Sequence, residues 1–322
     1  MKYLGIDVSK KYFDADFGGN KVKRFQNTDH GIAEFLSVVD RTSMCVLEAT
    51  GAYSWSLVLA LHATNILVAM ENPLKVRRYA QSCFQRAKTD RADARMLTKY
   101  GEEKQPKPFV PPPTFILQLR ELLATYELFI GQRTALNNQL EALTHMPVID
   151  ASASKIVRGS IKSISRFMEQ ITVAMDAIIA EHCPQLFERI CSLPGVGEKT
   201  ARSMIALAGD WSRFTTAKAF VAFVGLVPRI FESGTSVHSA GGTIKLGNPR
   251  FRSALYMCSL SAMRHNPACR ALYVRLRHKN KHKMVVQVAI MHKLARQIWA
   301  VATSNEPYNI ERAHGRNLSK AA

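Results

Sequence analysis

Tyr3-Leu4-Gly5-Ile6-Asp7-Val8-Ser9-Lys10 is a short apolar run that ends by presenting one carboxylate. Apolar and β-branched residues bounded by small polar ones predict a strand over 3–8, and a second run over 12–17 predicts its neighbour. Three further acids are placed so that they could join Asp7. Glu48 ends the run Cys45-Val46-Leu47-Glu48, and Asp90 and Asp93 lie in Lys88-Thr89-Asp90-Arg91-Ala92-Asp93-Ala94-Arg95. Residues at i and i+3 share one helix face, so Asp90 and Asp93 can point the same way.

Crowded carboxylates repel one another unless hard cations neutralise them, and Mg²⁺ or Mn²⁺ does so through oxygen ligands. Two such ions about 3.5–4 Å apart clamp the attacking and leaving oxygens of a phosphodiester. Each acid alone also has a plainer use, since the first turn of a helix favours Asp through the dipole and Asp caps turns. A buried strand ending in Asp and followed by a second strand begins both the ribonuclease-H type of fold and the sugar-kinase/actin type. The kinase reading needs a second phosphate loop, and none is read here.

Composition supplies the partner. The 322 residues are 47% hydrophobic and 21% charged, enough for a buried core and about two domains. Lys plus Arg number 44 against 25 Asp plus Glu, a net charge of +19, and such a field favours nucleic acid. Between Ser233 and Asn305 there is no acid at all while twelve Lys or Arg occur, which predicts a phosphate-facing surface. The six cysteines show no C-x-x-C pair and no zinc spacing, so they read as reduced thiols. No apolar run approaches the ~20 residues of a membrane span, and the chain opens into a strand rather than a leader, so a cytoplasmic, nucleoid-associated protein is expected.

Over residues 1–105 the pattern gives strands at 3–8, 12–17 and 21–26, a helix at 31–39, a strand at 44–48, a helix at 54–63, a strand at 66–71, and helices at 73–84 and 90–103. Three strands followed by alternating β and α units predict a mixed sheet covered by helices. Lys75, Arg77, Arg78, Arg86 and Lys88 precede Asp90, where they could hold a phosphate backbone over the acids. Pro106, Pro108 and Pro111-Pro112-Pro113 then end the pattern. Apolar stripes follow at Ile116, Leu119, Leu123, Tyr126, Ile130, Leu136, Leu140 and Leu143, and, past Pro147, at Val157, Ile161, Ile164, Met168, Ile171, Met175 and Ile178. They predict an antiparallel helical hairpin over 106–183 whose seam closes either within the chain or against another copy.

Past Cys183-Pro184, the run Leu193-Pro194-Gly195-Val196-Gly197-Glu198-Lys199-Thr200-Ala201 matches a helix-hairpin-helix turn, whose amides contact backbone phosphate. A plain helix-capping turn is the simpler alternative. Phe220 to Pro228 and Arg229 to Ser236 follow, and Gly and hydroxyl residues from Ser239 to Gly247 suggest a mobile loop. Helices bearing Arg250, Arg252, Arg270, Arg275, Arg277, Lys279, Lys281 and Lys283 carry the acid-free surface, a last helix covers about 284–303, and the tail after Pro307 is expected to be disordered.

Taken in order, the stretches Gly5-Ile6-Asp7-Val8-Ser9-Lys10, Glu48-Ala49-Thr50-Gly51, Asn72-Pro73, Lys88-Thr89-Asp90 with Asp93-Ala94-Arg95, Leu193-Pro194-Gly195-Val196-Gly197, Phe223-Val224-Gly225-Leu226-Val227-Pro228 and Glu232-Ser233-Gly234 give the whole chain a resemblance. It resembles the DEDD-type transposases and recombinases of the "IS one-ten" insertion sequences, which include the Piv DNA invertases. The resemblance implies an α/β plus α architecture: a RuvC-like, ribonuclease-H-like domain over 1–105, a helical coiled-coil region over 106–183, and a mostly helical transposase domain over 184–322. It implies a metal-binding acidic tetrad of Asp7, Glu48, Asp90 and Asp93 with Mg²⁺ or Mn²⁺, and a nucleophilic serine at Ser233, a residue that without the resemblance reads as an ordinary turn serine. It further implies DNA and a structured non-coding bridge RNA as partners and a homo-oligomer, dimer or tetramer. Gly195, Gly197, Lys199, Thr200, Arg275, Arg277 and Lys279 are the expected nucleic-acid contacts. Asn65 stands where relatives often carry glycine, and asparagine also tolerates a left-handed turn. A hydrolytic junction nuclease with the same acids, and a non-catalytic nucleic-acid-binding protein, are the competing readings.

Overall fold

The computed structural model describes residues 1–19, 21–49, 51–83, 89–146, 150–233, 237–243 and 247–310, with the backbone alone over 228–241 and at 243. The chain forms two compact units, Met1–Pro111 and Pro112–Ala322.

In the first unit, β1 (Tyr3–Val8), β2 (Tyr12–Asp16) and β3 (Val22–Gln26) form an antiparallel meander. Then come α1 (Asp29–Val38), β4 (Met44–Glu48), α2 (Trp55–Ala63), β5 (Leu67–Glu71), α3 (Pro73–Ser82) and α4 (Asp90–Lys104). The sheet order is β3-β2-β1-β4-β5, with β4 parallel to β1 and β5 parallel to β4. Because side chains alternate across a strand, Leu4, Ile6, Phe13, Ala15 and Phe25 form one core with Ile32 and Phe35 of α1 and Leu57, Val58 and Leu61 of α2. Phe13, Phe25 and Phe35 lie with ring centroids 5.3–5.4 Å apart, each such pair contributing ~0.5–1.5 kcal/mol beyond its buried area. On the opposite face, Met44, Val46 and Ala69 pack with Val76, Tyr79, Leu97 and Tyr100 of α3 and α4.

The helix starts follow local chemistry. Thr28 accepts from the Gly31 amide, so α1 begins two residues before the predicted Gly31. Asn72 accepts from Leu74 ahead of Pro73, and Thr89 accepts from Ala92 to start α4, while Gln105 ends it in a left-handed conformation. Asn65 has φ 59°, the turn its side chain was expected to tolerate. Arg86, Lys88, Thr50 and Pro147 lie outside the described residues.

The second unit opens with α5 (Thr114–Thr144) and α6 (Ala151–His182), packed antiparallel so that Phe115 stacks on His182 and Phe129 on Phe167. Ile116, Leu119, Leu123, Met175 and Ile179 from the base of this hairpin enter one core with Met204, Phe220, Phe251, Leu255, Ile290 and Leu294. Farther out Leu136, Leu140, Leu143, Val157, Ile161 and Ile164 are only half-buried, because two helices shield one side of a seam. The remainder is α7 (Pro184–Cys191), α8 (Glu198–Ala208), α9 (Ala217–Val224), a β6/β7 hairpin (Pro228–Ser233, Val237–Thr243), α10 (Pro249–His265), α11 (Pro267–His278) and α12 (Lys283–Thr303). The expected mobile loop over Ser239–Gly247 is corrected here. Most of that stretch is β7, whose backbone pairs with β6 from Pro228↔Thr243 to Ser233↔Val237, and the pairing overrides the strand-weakening effect of its glycines. Residues 311–322 of the tail lie outside the described residues.

Candidate functional site

Register builds the site before any helix is added. Arg24 is opposite Asp14, Asp14 is opposite Asp7, and Glu48 is level with Glu71. Ile6 is level with Leu47, which sets Asp7 beside Glu48. One row of five charged residues therefore crosses the whole sheet on the face opposite the phenylalanine core. Sequence reading found Asp7 and Glu48 in this row and missed Asp14, Arg24 and Glu71. The signal for Asp14 was present in the alternation Tyr12-Phe13-Asp14-Ala15-Asp16, which places acids on the face that is not apolar. Arg24 needed the hairpin register, which no single stretch specifies.

The α4 helix lies across this face at very short range. A Cβ on Gly5 would stand 2.1 Å from the Ala94 carbonyl oxygen and 2.3 Å from the Thr98 amide nitrogen, so only glycine permits the approach. The Gly5 amide donates to Thr98 Oγ1 at 2.8 Å, and Gly101 lies against Tyr3. Running antiparallel to β1, α4 therefore carries its first turn, with Asp90 and Asp93, to the end of β1 that bears Asp7. The Asp7 carboxyl is pushed up to about 6, first by burial and then by Asp93, Asp90, Glu48 and Asp14. Glu48, Asp90 and Asp93 of the expected tetrad thus each act electrostatically on Asp7.

Asp14 is 2% exposed and holds Arg24 through both carboxylate oxygens, Nη2 to Oδ2 at 2.7 Å and Nε to Oδ1 at 3.1 Å. The same Nη2 donates to Asp90 Oδ2 at 2.8 Å, and the guanidinium lies over the Tyr12 ring at 5.6 Å. Asp14 and Asp90 hold its pKa up. Among the described residues, no group of three or more His, Cys, Asp or Glu is arranged to hold a metal ion. The donor chemistry nonetheless fits Mg²⁺ or Mn²⁺. Among the described residues the converging acids offer carboxylate oxygen, and Asp7 is a carboxyl whose charged form is disfavoured first by burial and then by like charges that a hard cation would offset.

In the second unit a short turn joins α7 to α8 at the stretch expected to contact backbone phosphate. Gly195 has φ 96°, and a Cβ there would lie 2.6 Å from the Ala262 Cα, so this glycine is required by packing against α10. Gly197 faces open space and caps α8 without a side chain, leaving the first-turn amides at an exposed helix start. Lys199 is exposed, with its ammonium 5.3 Å from the Tyr126 ring, and Thr200 Oγ1 lies 2.8 Å from Cys258 Sγ. Arg275 and Arg277 are exposed in the last turn of α11, with exposed Lys279 just beyond. Ser233 is the last residue of β6, opposite Val237; Gly234, Thr235 and Ser236 lie outside the described residues. No described helix is long and apolar enough to cross a membrane.

Residues 4–146 match a DEDD transposase family of the IS110 group, and residues 187–274 match the Transposase IS116/IS110/IS902 family. The pilin gene-inverting protein of Moraxella lacunata is 30% identical over 320 residues, covering 95% of this chain and 97% of that protein. Its counterpart in Moraxella bovis is similar to the same extent. The transposase for insertion sequence element IS1111A of Coxiella burnetii is 26% identical over 348 residues, covering 96% of this chain and 91% of its own.

Proposed function

Because this chain belongs to the IS116/IS110/IS902 family of transposases, we propose that it cuts and rejoins DNA through a covalent serine–DNA link made at Ser233, with Asp7, Glu48, Asp90 and Asp93 as the supporting acids. As an enzyme it is a DNA transposase or DNA-inverting recombinase. The observation that carries the finer reading is the convergence of the four acids, seen in the upward push that the other three give Asp7. The strand order β3-β2-β1-β4-β5 supports reading the first unit as a ribonuclease-H-like, RuvC-like domain. In this reading 106–183 is the helical region through which copies assemble, its outer seam being half-buried, and 184–322 is the transposase domain.

The reaction balances without ATP. The Ser233 hydroxyl oxygen forms a bond to a DNA phosphorus as the bond from phosphorus to the departing strand's oxygen breaks, and the serine proton ends on that released hydroxyl. A hydroxyl of the recipient strand then attacks the same phosphorus, and serine leaves with a proton restored. Mg²⁺ or Mn²⁺ held by the four acids would lower the pKa of the serine hydroxyl and offset charge gathering on the phosphoryl oxygens. Gly197, Lys199, Thr200, Arg275, Arg277 and Lys279 hold nucleic-acid backbone in this scheme, with Gly195 shaping the turn, and a non-coding bridge RNA selects the sites.

Incubation with a nicked suicide substrate followed by denaturation tests the scheme. Wild type should leave a DNA-linked band and Ser233→Ala none, while Thr235→Ala and Ser236→Ala keep the band. Normal adduct from Ser233→Ala would move the nucleophile to another residue, and only free 3′-hydroxyl and 5′-phosphate ends from wild type would make the enzyme a metal-dependent hydrolase instead.

A further inference from the structure

Among the described residues the charged row that crosses the sheet includes a cation, Arg24, paired with two of the acids. Arg24 is anchored on one side by Asp14, a buried carboxylate held through two guanidinium nitrogens. On its other side it reaches Asp90 through a single nitrogen, and there both side chains are open to solvent, 45% and 58% exposed. One contact is thus fixed and the other exchangeable. We propose that Arg24 is the internal counter-cation of the acid cluster, competing with the divalent ion for Asp90 and yielding that carboxylate when the ion binds. The proposal rests on the reading that the tetrad holds a metal. It makes Arg24 a positioning residue that acts on the reaction through Asp90.

The argument is one of charge and reach. Asp90 opens α4 after the Thr89 cap, so its backbone is fixed, and its carboxylate swings only about its own side-chain bonds. The guanidinium cannot follow it toward Asp7, because Asp14 and the Tyr12 ring hold Arg24 over β2. Arg24 and an ion seated among Asp7, Glu48 and Asp93 therefore compete for Asp90 Oδ2, the oxygen that the guanidinium holds. The exposed half of the contact is a weak ion pair, which makes the exchange reversible.

The test measures Mn²⁺ affinity of the full-length, DNA-free protein from the electron paramagnetic resonance signal of free Mn²⁺. Arg24→Gln should bind Mn²⁺ about 3- to 10-fold more tightly, the value of one exposed ion pair plus the removed repulsion. Arg24→Lys, which keeps the charge but lacks the fork that spans two carboxylates, should tighten binding by about 2-fold. Since Arg24→Gln strands a buried carboxylate, Asp14→Asn/Arg24→Gln serves as the uncharged pair and should match the single variant's gain. Unchanged or weaker binding in both Arg24→Gln and Asp14→Asn/Arg24→Gln would overturn the proposal. So would Arg24→Lys binding like wild type while Arg24→Gln binds more tightly, because long-range charge alone would then account for the gain. If wild type and variants all fail to bind Mn²⁺, the metal reading beneath the proposal falls instead.

Discussion

Asp7 sits among four other carboxyl groups at the end of a buried strand, and its folded pKa of about 6 stands above the ordinary 3.8. The folded state therefore holds the Asp7 proton over a pH range in which the unfolded chain has released it. Its contribution to stability is complete below pH ~4 and is lost as pH rises through ~6. In EDTA, denaturant unfolding at pH 4.5 and 7 should show a pH-dependent loss in wild type that Asp7→Asn lacks, by ~1–2 kcal/mol once solvent screening is allowed for. An equal loss in both proteins would remove Asp7 as its source. With Mn²⁺ present, protons compete for the same carboxylate, so affinity should fall below pH 6. Gly5→Ala tests the other residue that makes the site. Pushing α4 off the sheet should cost about 3 kcal/mol or more in stability and should suppress adduct formation, with Asp90 and Asp93 displaced from Asp7.

At the scale of elements, the α7–α8 turn separates two glycines that look alike in sequence. Gly195→Ala must both adopt a positive φ and displace the α10 backbone, so it should destabilise the second unit by roughly 3 kcal/mol. Gly197→Ala meets open space and changes a helix start, which costs only about 1 kcal/mol or less. Its effect should appear in DNA affinity rather than in thermal melting. Equal melting temperatures for the two variants would contradict the packing argument. In the α5–α6 hairpin the half-buried outer seam predicts that Ile161→Asp lowers the association state in analytical ultracentrifugation while leaving the melting of the second unit nearly unchanged, since its buried residues lie at the base.

For the whole molecule, a net charge of +19 makes nucleic-acid binding a matter of counterion release. Lys199→Ala should reduce the slope of log K against log salt by about 1, and neutralising Arg275, Arg277 and Lys279 together by about 3. Fluorescence anisotropy with a duplex oligonucleotide across salt concentrations reads both values. A slope that does not change in the triple variant would place the nucleic acid away from the end of α11.

The sequence by itself determined the order of strands and helices in the first unit, because periodicity, caps and proline breaks are local: Thr89 starts α4 and the prolines from 106 to 113 end the unit wherever these segments pack, whereas the β6/β7 pairing of the second unit reads as a loop in the sequence. It also picked out four of the acids, since carboxylates at the ends of apolar runs are conspicuous in one dimension. What only the tertiary structure decided was which charges meet. Strand register set Arg24 against Asp14 and Asp14 against Asp7, and a one-residue slip would have sent each to the other face. The contact of Gly5 with Ala94 and Thr98, some ninety residues away in the chain, brought the first turn of α4 to Asp7. Local propensities carry no information on register or on helix-to-sheet approach, so the partner of Asp90 became legible only once both were fixed.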